Sequence, residues 1–482
     1  MSPEPVGSRQ QDFSGFTPLH EEYDYLLDEV AGAVPEQLRG TVYRNGPGRL
    51  EAGGQPLGHL FDGDGMLSMF RFADGRVRFR NRYVRTRHYR RSRHTRGAPF
   101  RGLGTMRPGG VLANALRFPV NVANTAVIMH AGTLLALWEA GRPTEIDPDS
   151  LDTVGEYDYD GELRWLGAFS AHPKWDPDTG EMFNFGLALA PIPKLVCYRV
   201  DPTGRLTTLG AVRLSAPMFN HDVGLTKRHM VFVVPPLVFR PSKLAGAALG
   251  LHDYIDALEY DAERPTMIAL VPRDGGRVRI VHTEPLMHLH IANAYDDGAD
   301  TVVELLNYDA SWTQLNAQLL TVDGTVPDTT MPYGGVLRRI RITRSGRVIH
   351  EPLTDLRGDF PMLNPRVSGR RHRYTYLVVG VEGSTYPNAV AKLDHHTGAS
   401  TLHRLPPGHL AHEPVFIPRP GGAAEDDGWL AVVVQDCHRH RAHLRLLDAG
   451  AVSADPVFTG HLRHSMPLTF HGCFTPRVGR SG

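Results

Sequence analysis

The sequence has 482 residues, of which 41% are hydrophobic and 22% are charged. This composition supplies enough apolar side chains for a large buried core and excludes a disordered chain, which lacks them. The 52 basic and 52 acidic residues balance, and no sustained basic stripe is present, so the sequence predicts no nucleic-acid partner. The three cysteines are widely separated, which fits neither a disulfide framework nor a thiolate metal site.

Two features of the sequence bear on where the protein resides. The N-terminal segment Met1–Phe13 is polar and lacks the apolar core of a signal peptide. The longest apolar run, Met230–Phe239, is far shorter than the roughly 20 residues needed to span a bilayer. Both observations favour a cytoplasmic protein.

Short apolar or alternating runs follow one another along the chain. They have the length of strands and are rich in β-branched and aromatic residues. Long helical periodicity is scarce, so the sequence predicts an all-β protein. The clearest runs are Met66–Phe72, Leu134–Trp138, Met230–Val234, Val302–Leu306, Tyr374–Val379 and Leu430–Val434.

Seven turn signals separate such runs at intervals of 49 to 73 residues. In these turns Asp bonds its own backbone and Gly adopts positive φ without strain. Intervals of this size fit four-stranded blades with loops of variable length, which predicts a seven-bladed β-propeller formed by residues 1–482 as a single domain. A multi-sheet sandwich is the alternative fold. The turn groups begin at Asp74, Asp147, Asp201, Asp274, Ser345, Asp394 and Asp448.

Residues 241–261 are the least strand-like part of the chain. Their apolar residues recur every three or four positions, which predicts an amphipathic helix. Two roles fit such a helix: packing against the propeller, and contact with a membrane from one side. The apolar positions are Leu244, Ala248, Leu251, Ile255 and Leu258.

Four of the 25 histidines share a setting beside a strand-like or tight-turn stretch. They are His172, His221, His290 and His471, separated by 49, 69 and 181 residues. The inner strand of each propeller blade faces the central axis, so one histidine from each of four blades can converge there. Four neutral imidazoles suit iron, zinc, copper or nickel, and they leave two positions open on an octahedral ion.

The segments around these histidines resemble the iron-binding signatures of the carotenoid cleavage dioxygenases. They are Phe169-Ser-Ala-His-Pro, Met218-Phe-Asn-His-Asp, His288-Leu-His-Ile-Ala-Asn and Pro467-Leu-Thr-Phe-His. The Arg44-Asn-Gly-Pro-Gly and His59-Leu-Phe-Asp-Gly-Asp-Gly-Met runs are similar to the family's opening signature, and the resemblance extends over about residues 35–475. It implies a seven-bladed propeller with a dome of loops and short helices over the metal, and Fe²⁺ as the cofactor.

The third signature contains two histidines, His288 and His290. The family's ligand stands three residues before an Asn, which here is Asn293. The resemblance therefore implies that His290 is the ligand and that His288 is a neighbour.

The family also carries three carboxylates that accept the outer ring N–H of ligand imidazoles and so fix their tautomers. Glu139 matches the first of them and Glu413 the third. The second is a Glu in the family and is Asp359 here, one methylene shorter, so we expect a longer or water-mediated contact with its ligand. By the same resemblance, His172 has no carboxylate partner.

The resemblance implies an oxidoreductase that adds O₂ across a conjugated C=C bond of a carotenoid or apocarotenoid and gives two aldehyde or ketone products. Residues next to the ligands are expected to line the substrate cavity, with ordinary core packing as the alternative. They are Trp138, Phe219, Leu289 and Phe470. A polyene is nearly insoluble in water, which favours peripheral membrane contact through residues 241–261.

Other functions remain open at this stage. A stilbenoid-cleaving branch of the family carries a Lys immediately before the first carboxylate, where this chain has the apolar Trp138, and this difference favours a polyene substrate. Cleavage of a lignostilbene, isomerisation of a polyene on the same fold, and a metal-free binding platform are the alternatives.

Overall fold

Strands are the main element of the computed structural model, which describes residues 18–164, 167–309, 315–316, 333–384 and 386–479. The segment Met1–Phe13 lies outside these residues. The first seventeen strands of the described chain are β1 Asp24–Leu26, β2 Val30–Gly32, β3 Gly40–Arg49, β4 Glu51–Ala52, β5 Gln55–Pro56, β6 Asp64–Ala73, β7 Arg76–Tyr83, β8 Ala126–His130, β9 Thr133–Leu137, β10 Thr144–Ile146, β11 Thr153–Glu156, β12 Lys174–Trp175, β13 Met182–Ala188, β14 Lys194–Val200, β15 Leu206–Arg213, β16 Gly224–Leu225 and β17 His229–Val234.

All six apolar runs singled out in the sequence correspond to strands. The remaining strands follow from residue 237 onward. They are β18 Leu237–Phe239, β19 Leu258–Tyr260, β20 Thr266–Pro272, β21 Arg279–Thr283, β22 Met287–Asp297, β23 Asp300–Tyr308, β24 Gly335–Ile342, β25 Val348–Met362, β26 Tyr374–Val379, β27 Ala389–Asp394, β28 Ser400–Arg404, β29 His409–Ala411, β30 Val415–Pro418, β31 Gly428–Asp436, β32 Arg441–Asp448, β33 Phe458–His461 and β34 Gly472–Thr475.

Six antiparallel sheets contain most of these strands. In hydrogen-bonded order they are sheet 1 (β1-β7-β6-β3-β34), sheet 2 (β11-β10-β9-β8), sheet 3 (β12-β13-β14-β15), sheet 4 (β16-β17-β20-β21), sheet 5 (β22 to β28 in succession) and sheet 6 (β2-β33-β32-β31-β29, with β30 also on β31). Two ribbons, β4-β5 and β18-β19, lie outside them.

Strand β7 illustrates how the sequence determines which face is buried. Val77 and Phe79 are buried, whereas Arg78 and Arg80 point the other way and both bind the carboxylate of Asp24. Successive side chains of a strand point to opposite faces, so this alternation of apolar and charged residues gives one core face and one polar face.

All seven predicted turns join antiparallel neighbours. Sheet 5 contains two of them, and each of the other five sheets contains one. In one example, the carboxylate of Asp201 accepts hydrogen bonds from the amides of Thr203 (2.9 Å) and Arg205 (3.0 Å), and Gly204 has a φ of 93°. The joined pairs are β6–β7, β10–β11, β14–β15, β20–β21, β24–β25, β27–β28 and β32–β33.

Apolar clusters fill the spaces between successive sheets and return from the last sheet to the first. They lie between sheets 1 and 2, 2 and 3, 3 and 4, 4 and 5, and 5 and 6. Phe70 and Phe79 of sheet 1 then pack with Trp429 and Leu444 of sheet 6. Pairing of β34 with β3, and of β2 with β33, joins the early and late parts of the chain at this point. This arrangement is that of a β-propeller, as the sequence predicts.

Helices are few and short in the described residues. They are α1 Arg87–Ser92, α2 Gly110–Asn114 and α3 Pro241–Ala248, with 3₁₀ turns at Leu60–Asp62, Ile255–Ala257 and Pro365–Val367. No helix in the described ranges combines the length and the apolar composition needed to cross a bilayer.

The helix predicted for residues 241–261 was wrong in its extent. Helix α3 ends at Ala248, because Gly250 adopts a φ of 80° and closes a Schellman motif, in which its own amide and the next one donate to carbonyl oxygens of the last turn (2.9 and 3.0 Å). Ile255 and Leu258 are buried and do not form an exposed apolar face.

Candidate metal centre

Four histidines converge in the structure: His172, His221, His290 and His471. Each offers a ring nitrogen, and these atoms lie within 4.8 Å of one another. The measured distances between their ring centroids are 4.2 to 5.3 Å. Bonds between an imidazole nitrogen and a metal such as zinc are about 2.0–2.1 Å long, so donor atoms this close together can surround one ion.

The chain presents each histidine at an irregularity beside a strand. His172 precedes β12, His221 precedes β16 and His471 immediately precedes β34. His290 lies within β22, between His288 and Ile291, where the pairing with β23 shifts register. Such bulges change the direction in which a side chain points. His288, on the same strand, bonds the carbonyl of Val233 and stays outside the group of four.

Carboxylates contact the outer nitrogen, Nδ1, of two of these rings directly. Glu413 Oε1 lies 2.8 Å from His471 Nδ1, and Asp359 Oδ1 lies 2.6 Å from His290 Nδ1. The other Glu413 oxygen accepts a hydrogen bond from the amide of Gly472 (2.8 Å). A carboxylate at Nδ1 holds the proton there and leaves Nε2 as the atom that faces the centre.

Glu139 lies between the other two histidines. Its Oε1 atom is 3.3 Å from His221 Nδ1 and 3.6 Å from His172 Nε2, so His221 is the nearer partner. Burial raises the pKa of Glu139 well above its usual range, and the carboxylate of Asp222 raises it further. The resemblance gave His172 no carboxylate partner; in the structure Glu139 approaches His172 Nε2 to 3.6 Å, which is too long for a hydrogen bond.

The contact of Asp359 with His290 is direct, so the expectation of a longer or water-mediated contact was wrong. The backbone compensates for the missing methylene: Phe360 has a φ of 54°, and the pairing of β25 with β26 gains an extra residue between Asp359 and Met362. The amide of Phe360 donates to Asp359 Oδ1 (2.8 Å), and the hydroxyl of Tyr308 donates to Oδ2 (2.5 Å).

Burial controls the charge of the histidines. It lowers the pKa of His172 and His221 well below the ordinary value, and the neighbouring imidazoles lower it further. Burial also disfavours the charged form of His290, but Asp359 more than offsets this and raises the pKa of that ring. His172 and His221 are therefore neutral at neutral pH, which is the form that binds a metal.

Unpaired buried nitrogens indicate what this centre holds. Among the described residues of this centre, Nε2 of His172 and Nε2 of His290 have no hydrogen-bond partner, and neither do Nδ1 of His221 and Oε1 of Glu139. A buried polar atom left without a partner costs about 1–3 kcal/mol, and a metal ion would remove that cost. The four histidines therefore fit a metal ion.

A second group, formed by Glu304, His372 and His395, also places possible ligand atoms within 4.8 Å. The side-chain nitrogen of Asn293 lies 3.0 Å from His372 Nδ1, and its oxygen accepts a backbone amide (3.1 Å), which fixes its orientation. Nδ1 therefore accepts, and the proton lies on Nε2, which faces the hydroxyl of Thr375 (3.0 Å) and the carboxylate of Glu304 (3.3 Å). Since a metal needs an unprotonated nitrogen, the ring of His372 is committed to hydrogen bonds, whereas Glu304 Oε2 has no hydrogen-bond partner.

Comparison with known proteins agrees with this geometry. The sequence matches the family model described as "Retinal pigment epithelial membrane protein", RPE65, over residues 16–476. It is 33% identical to apocarotenoid-15,15'-oxygenase of Synechocystis sp., with 96% of each chain covered, and 30% identical to isoeugenol monooxygenase of Pseudomonas nitroreducens, with 95% of this chain and 96% of that one covered. The chain belongs to the RPE65/carotenoid oxygenase family. The predicted family and the predicted class of enzyme, an oxygenase, are thus confirmed.

A solved member of the family has the same fold. The crystal structure of cobalt-substituted Synechocystis ACO superposes with a TM-score of 0.89 at 32% identity, and the match covers 97% of this chain and 98% of that one. Cobalt substitution in that relative agrees with a metal centre in this carotenoid oxygenase family.

The predicted cavity residues occupy different surroundings in this carotenoid oxygenase. Phe219 and Leu289 pack against an apolar cluster that includes Tyr308, called here the Tyr308 cluster. The ring centroid of Phe219 lies 6.0 Å from that of His221, so this cluster reaches the metal centre. Trp138 is half-buried beside Gly141 and lies outside the Tyr308 cluster.

Phe470 lies in a second group, the Phe470 cluster, with Phe61 and Phe360 packed against it. The ring of Phe360 lies 5.3 Å from those of His290 and His471. The two clusters therefore approach the metal centre from different chain segments and supply apolar side chains around it.

Arg44, Asp222 and Tyr308 are site residues that sequence reasoning missed. Arg44 is buried, and its guanidinium donates to the backbone oxygens of Glu413 (2.6 Å) and Phe470 (3.2 Å). Phe470 precedes His471 in sequence, and the side chain of Glu413 contacts the His471 ring. The role of Arg44 could have been predicted from the sequence, because an arginine inside an otherwise buried strand requires partners. Nothing in the sequence around Tyr308 indicated a role.

Proposed function

We propose that this protein is an iron(II) dioxygenase that cleaves a conjugated C=C bond of a carotenoid or apocarotenoid and gives two aldehyde or ketone products. The observation that carries the proposal is the convergence of four histidines, three of them beside a carboxylate, in a member of the carotenoid oxygenase family. Both atoms of O₂ enter the products, one in each new carbonyl group, so no external reductant is required.

In this proposal, His172, His221, His290 and His471 hold the iron, and Glu139, Asp359 and Glu413 orient three of the rings. An iron(II) ion held by these histidines would supply the activation of dioxygen. Asp359 and Glu413 fix the tautomers of His290 and His471 and increase the basicity of the ligand nitrogens, and Glu139, 3.3 Å from His221 Nδ1, would do the same for His221. The reaction as proposed requires no general base from the chain.

The apolar clusters support a polyene substrate. Phe219 and Leu289 on one side, and Phe470 on the other, hold the conjugated chain at a fixed depth and so choose the bond that is cleaved. Exclusion of water by these side chains protects the reacting carbons. The apolar Trp138 beside Glu139 fits the same class of substrate, because it offers no cation to a phenol oxygen.

A phenolic alkene, such as a stilbenoid, is the second candidate substrate. The 30% identity to isoeugenol monooxygenase of Pseudomonas nitroreducens favours it, because that relative is named for a phenolic compound. Isomerisation of a polyene on the same fold is the remaining alternative, and it differs from cleavage in consuming no dioxygen.

The proposal treats the described chain as one propeller of seven blades under a dome of loops and short helices. Sheets 1 to 4 and sheet 6 each provide one blade, and the seven-stranded sheet 5 provides two. The seven predicted turns support this count, since two of them fall in sheet 5.

The proposal includes access of the substrate from a membrane surface. Two adjacent segments expose large apolar side chains, and the amide of Leu116 donates to Ala248 where the segments meet (2.7 Å). This apolar patch replaces the helix face expected from residues 241–261. Its members are Val111, Leu112, Leu116, Phe118, Leu249 and Leu251.

Anaerobic purification with iron(II), followed by dioxygen uptake with apocarotenals, β-carotene and a stilbene, tests the function. We expect loss of an apocarotenal to equal dioxygen uptake and to yield two carbonyl fragments, whose masses locate the cleaved bond. The His290→Ala variant, which lacks one ligand, is the matched control and should consume no dioxygen. Bound iron with turnover but no dioxygen uptake would assign an isomerase, and a protein that binds no iron would overturn the proposal.

A further inference from the structure

We infer that Tyr308 is a positioning residue of the metal centre, and that it acts through Asp359, whose carboxylate orients His290. The inference rests on the proposed function, because it concerns how His290 is oriented toward a metal ion. It follows from the short carboxylate side chain at position 359.

A continuous chain of hydrogen bonds connects Tyr308 to His290. The hydroxyl of Tyr308 donates to Asp359 Oδ2 (2.5 Å), and Asp359 Oδ1 lies 2.6 Å from His290 Nδ1. Tyr308 is 6% exposed, and the side chains of Asp359 and His290 are 13% and 8% exposed. Water therefore has little access to this chain of contacts, and its geometry is determined by the protein.

Both oxygens of Asp359 are occupied. Oδ1 also accepts the amide of Phe360 (2.8 Å), whose left-handed backbone (φ 54°) directs the short side chain toward the ring. A glutamate at this position would move the carboxyl group outward by roughly 1.5 Å, the length of a C–C bond, into space held by Tyr308 and His290. A glutamate is thus too long for this site while Tyr308 keeps its hydroxyl.

Tyr308 also belongs to the wall of the proposed cavity. Its ring lies in the Tyr308 cluster, against which Phe219 and Leu289 pack. The residue that orients the partner of His290 is therefore itself held by the apolar side chains proposed to contact the substrate. Orientation of this ligand and packing of the cavity wall depend on the same side chain.

In a simpler explanation, Asp359 only provides the hydrogen-bond acceptor that the buried hydroxyl of Tyr308 needs. That role predicts an effect on folding stability alone, because a buried hydroxyl needs an acceptor but not a particular one. The positioning role predicts an effect on metal affinity and on the ligand field at the metal.

The test uses Tyr308→Phe, Asp359→Glu and the double variant, with Tyr376→Phe as the control. Tyr376 is equally inaccessible, and its hydroxyl donates to the carbonyl of Ala449 (3.0 Å), away from the metal centre. For each protein we would measure the iron(II) dissociation constant by chelator competition, the visible absorption spectrum of the cobalt(II) form, and the thermal unfolding temperature.

We expect Tyr308→Phe and Asp359→Glu each to weaken iron binding by about tenfold or more and to shift the cobalt spectrum, since partners of metal ligands contribute about 10–100-fold in affinity. The double variant should bind iron more tightly than Asp359→Glu alone, because removal of the hydroxyl makes room for the longer side chain. Tyr376→Phe should leave affinity and spectrum unchanged.

Three results would overturn the inference: wild-type affinity and spectrum in Tyr308→Phe, affinity in Asp359→Glu equal to that of the wild type, or strictly additive losses in the double variant. In each of these cases the wild-type protein still binds iron, so the proposed function stands. Failure of the wild-type protein itself to bind iron would remove the proposed function, and this inference with it.

Discussion

The carboxylate of Asp222 accepts a hydrogen bond from the backbone amide of Ile291, at 2.8 Å, across 69 residues of sequence. Asp222 follows His221 directly, and Ile291 follows His290. The same carboxylate lies 2.9 Å from the ammonium group of Lys174, two residues after His172. One buried side chain therefore links three of the four segments that carry the histidines.

We predict that Asp222→Asn weakens iron binding by about 10–100-fold, because the variant loses the charge that holds Lys174 and one strong acceptor for the Ile291 amide. Chelator competition measures the loss. Asp426→Asn, which disrupts the half-buried pair of Asp426 with Lys392, is the control and should leave iron affinity unchanged. Equal effects of the two variants would contradict a role of Asp222 at the centre.

The two groups of histidines should respond differently to substitution. We predict that His290→Ala lowers iron affinity by more than about 100-fold, since it removes a proposed ligand rather than a partner of a ligand. His372→Ala should retain the iron, because hydrogen bonds occupy both ring nitrogens of His372. Metal analysis of both purified variants shows which group of histidines binds the iron. Iron lost from His372→Ala but kept by His290→Ala would assign the iron to the group around Glu304.

The stability of the metal-free protein should fall as the pH is lowered from about 6.5 to 4. Burial lowers the pKa of His372 to about 4 and that of His412 to about 3, whereas the unfolded chain titrates near 6.5. Over this interval the unfolded state takes up protons that the folded state does not, so each such histidine removes about 1.4 kcal/mol of unfolding free energy per pH unit.

Urea unfolding with a chelator present, at pH 7.5 and pH 5.5, measures this effect. His372→Gln should reduce the difference between the two pH values, because glutamine does not titrate. Unfolding free energies that are the same at both pH values in the wild-type protein would show that these imidazoles are accessible to protons in the folded state.

Membrane binding should depend on the apolar patch and not on helix α3 as a whole. We predict that Leu112→Asp with Leu251→Asp weakens binding to phosphatidylcholine vesicles at least about tenfold, because both leucines are exposed and would enter the interface. Val154→Asp with Ile280→Asp, exposed residues outside the patch, is the matched control. Sedimentation with vesicles gives the comparison, and equal binding by both double variants would exclude the patch.

The sequence predicted most of what depends on local chemistry. The Asp–Gly turns could be predicted because they depend on residues close together in sequence. In one of them, Asp201 accepts a hydrogen bond from the amide of Thr203, and Gly204 adopts a positive φ. The four histidines were recognised from short motifs around each of them. The extent of helix α3 was also readable in principle, since Gly250 is the residue type that closes a Schellman motif.

Other parts of the site depend on contacts between distant segments and could not be read in this way. The Asp359 side chain reaches His290 beside Phe360, which adopts a left-handed backbone conformation. A phenylalanine in a strand gives no sequence signal for that conformation. Tyr308 ends an ordinary strand 51 residues before Asp359, and only the folded chain brings them together. Asp222 stood inside a recognised motif, but its partners lie on two other segments.

The pairing of β34 with β3 has a consequence for biosynthesis. Arg44 contacts the residues just before His471 across about 425 positions of sequence, so the last histidine joins the others only after nearly all the sheets have been made. Contacts of such long sequence separation form slowly. Until this pairing forms, the chain is an open ring that brings together three of the four histidines, so a metal ion at this centre would gain its fourth ligand only when the ring closes.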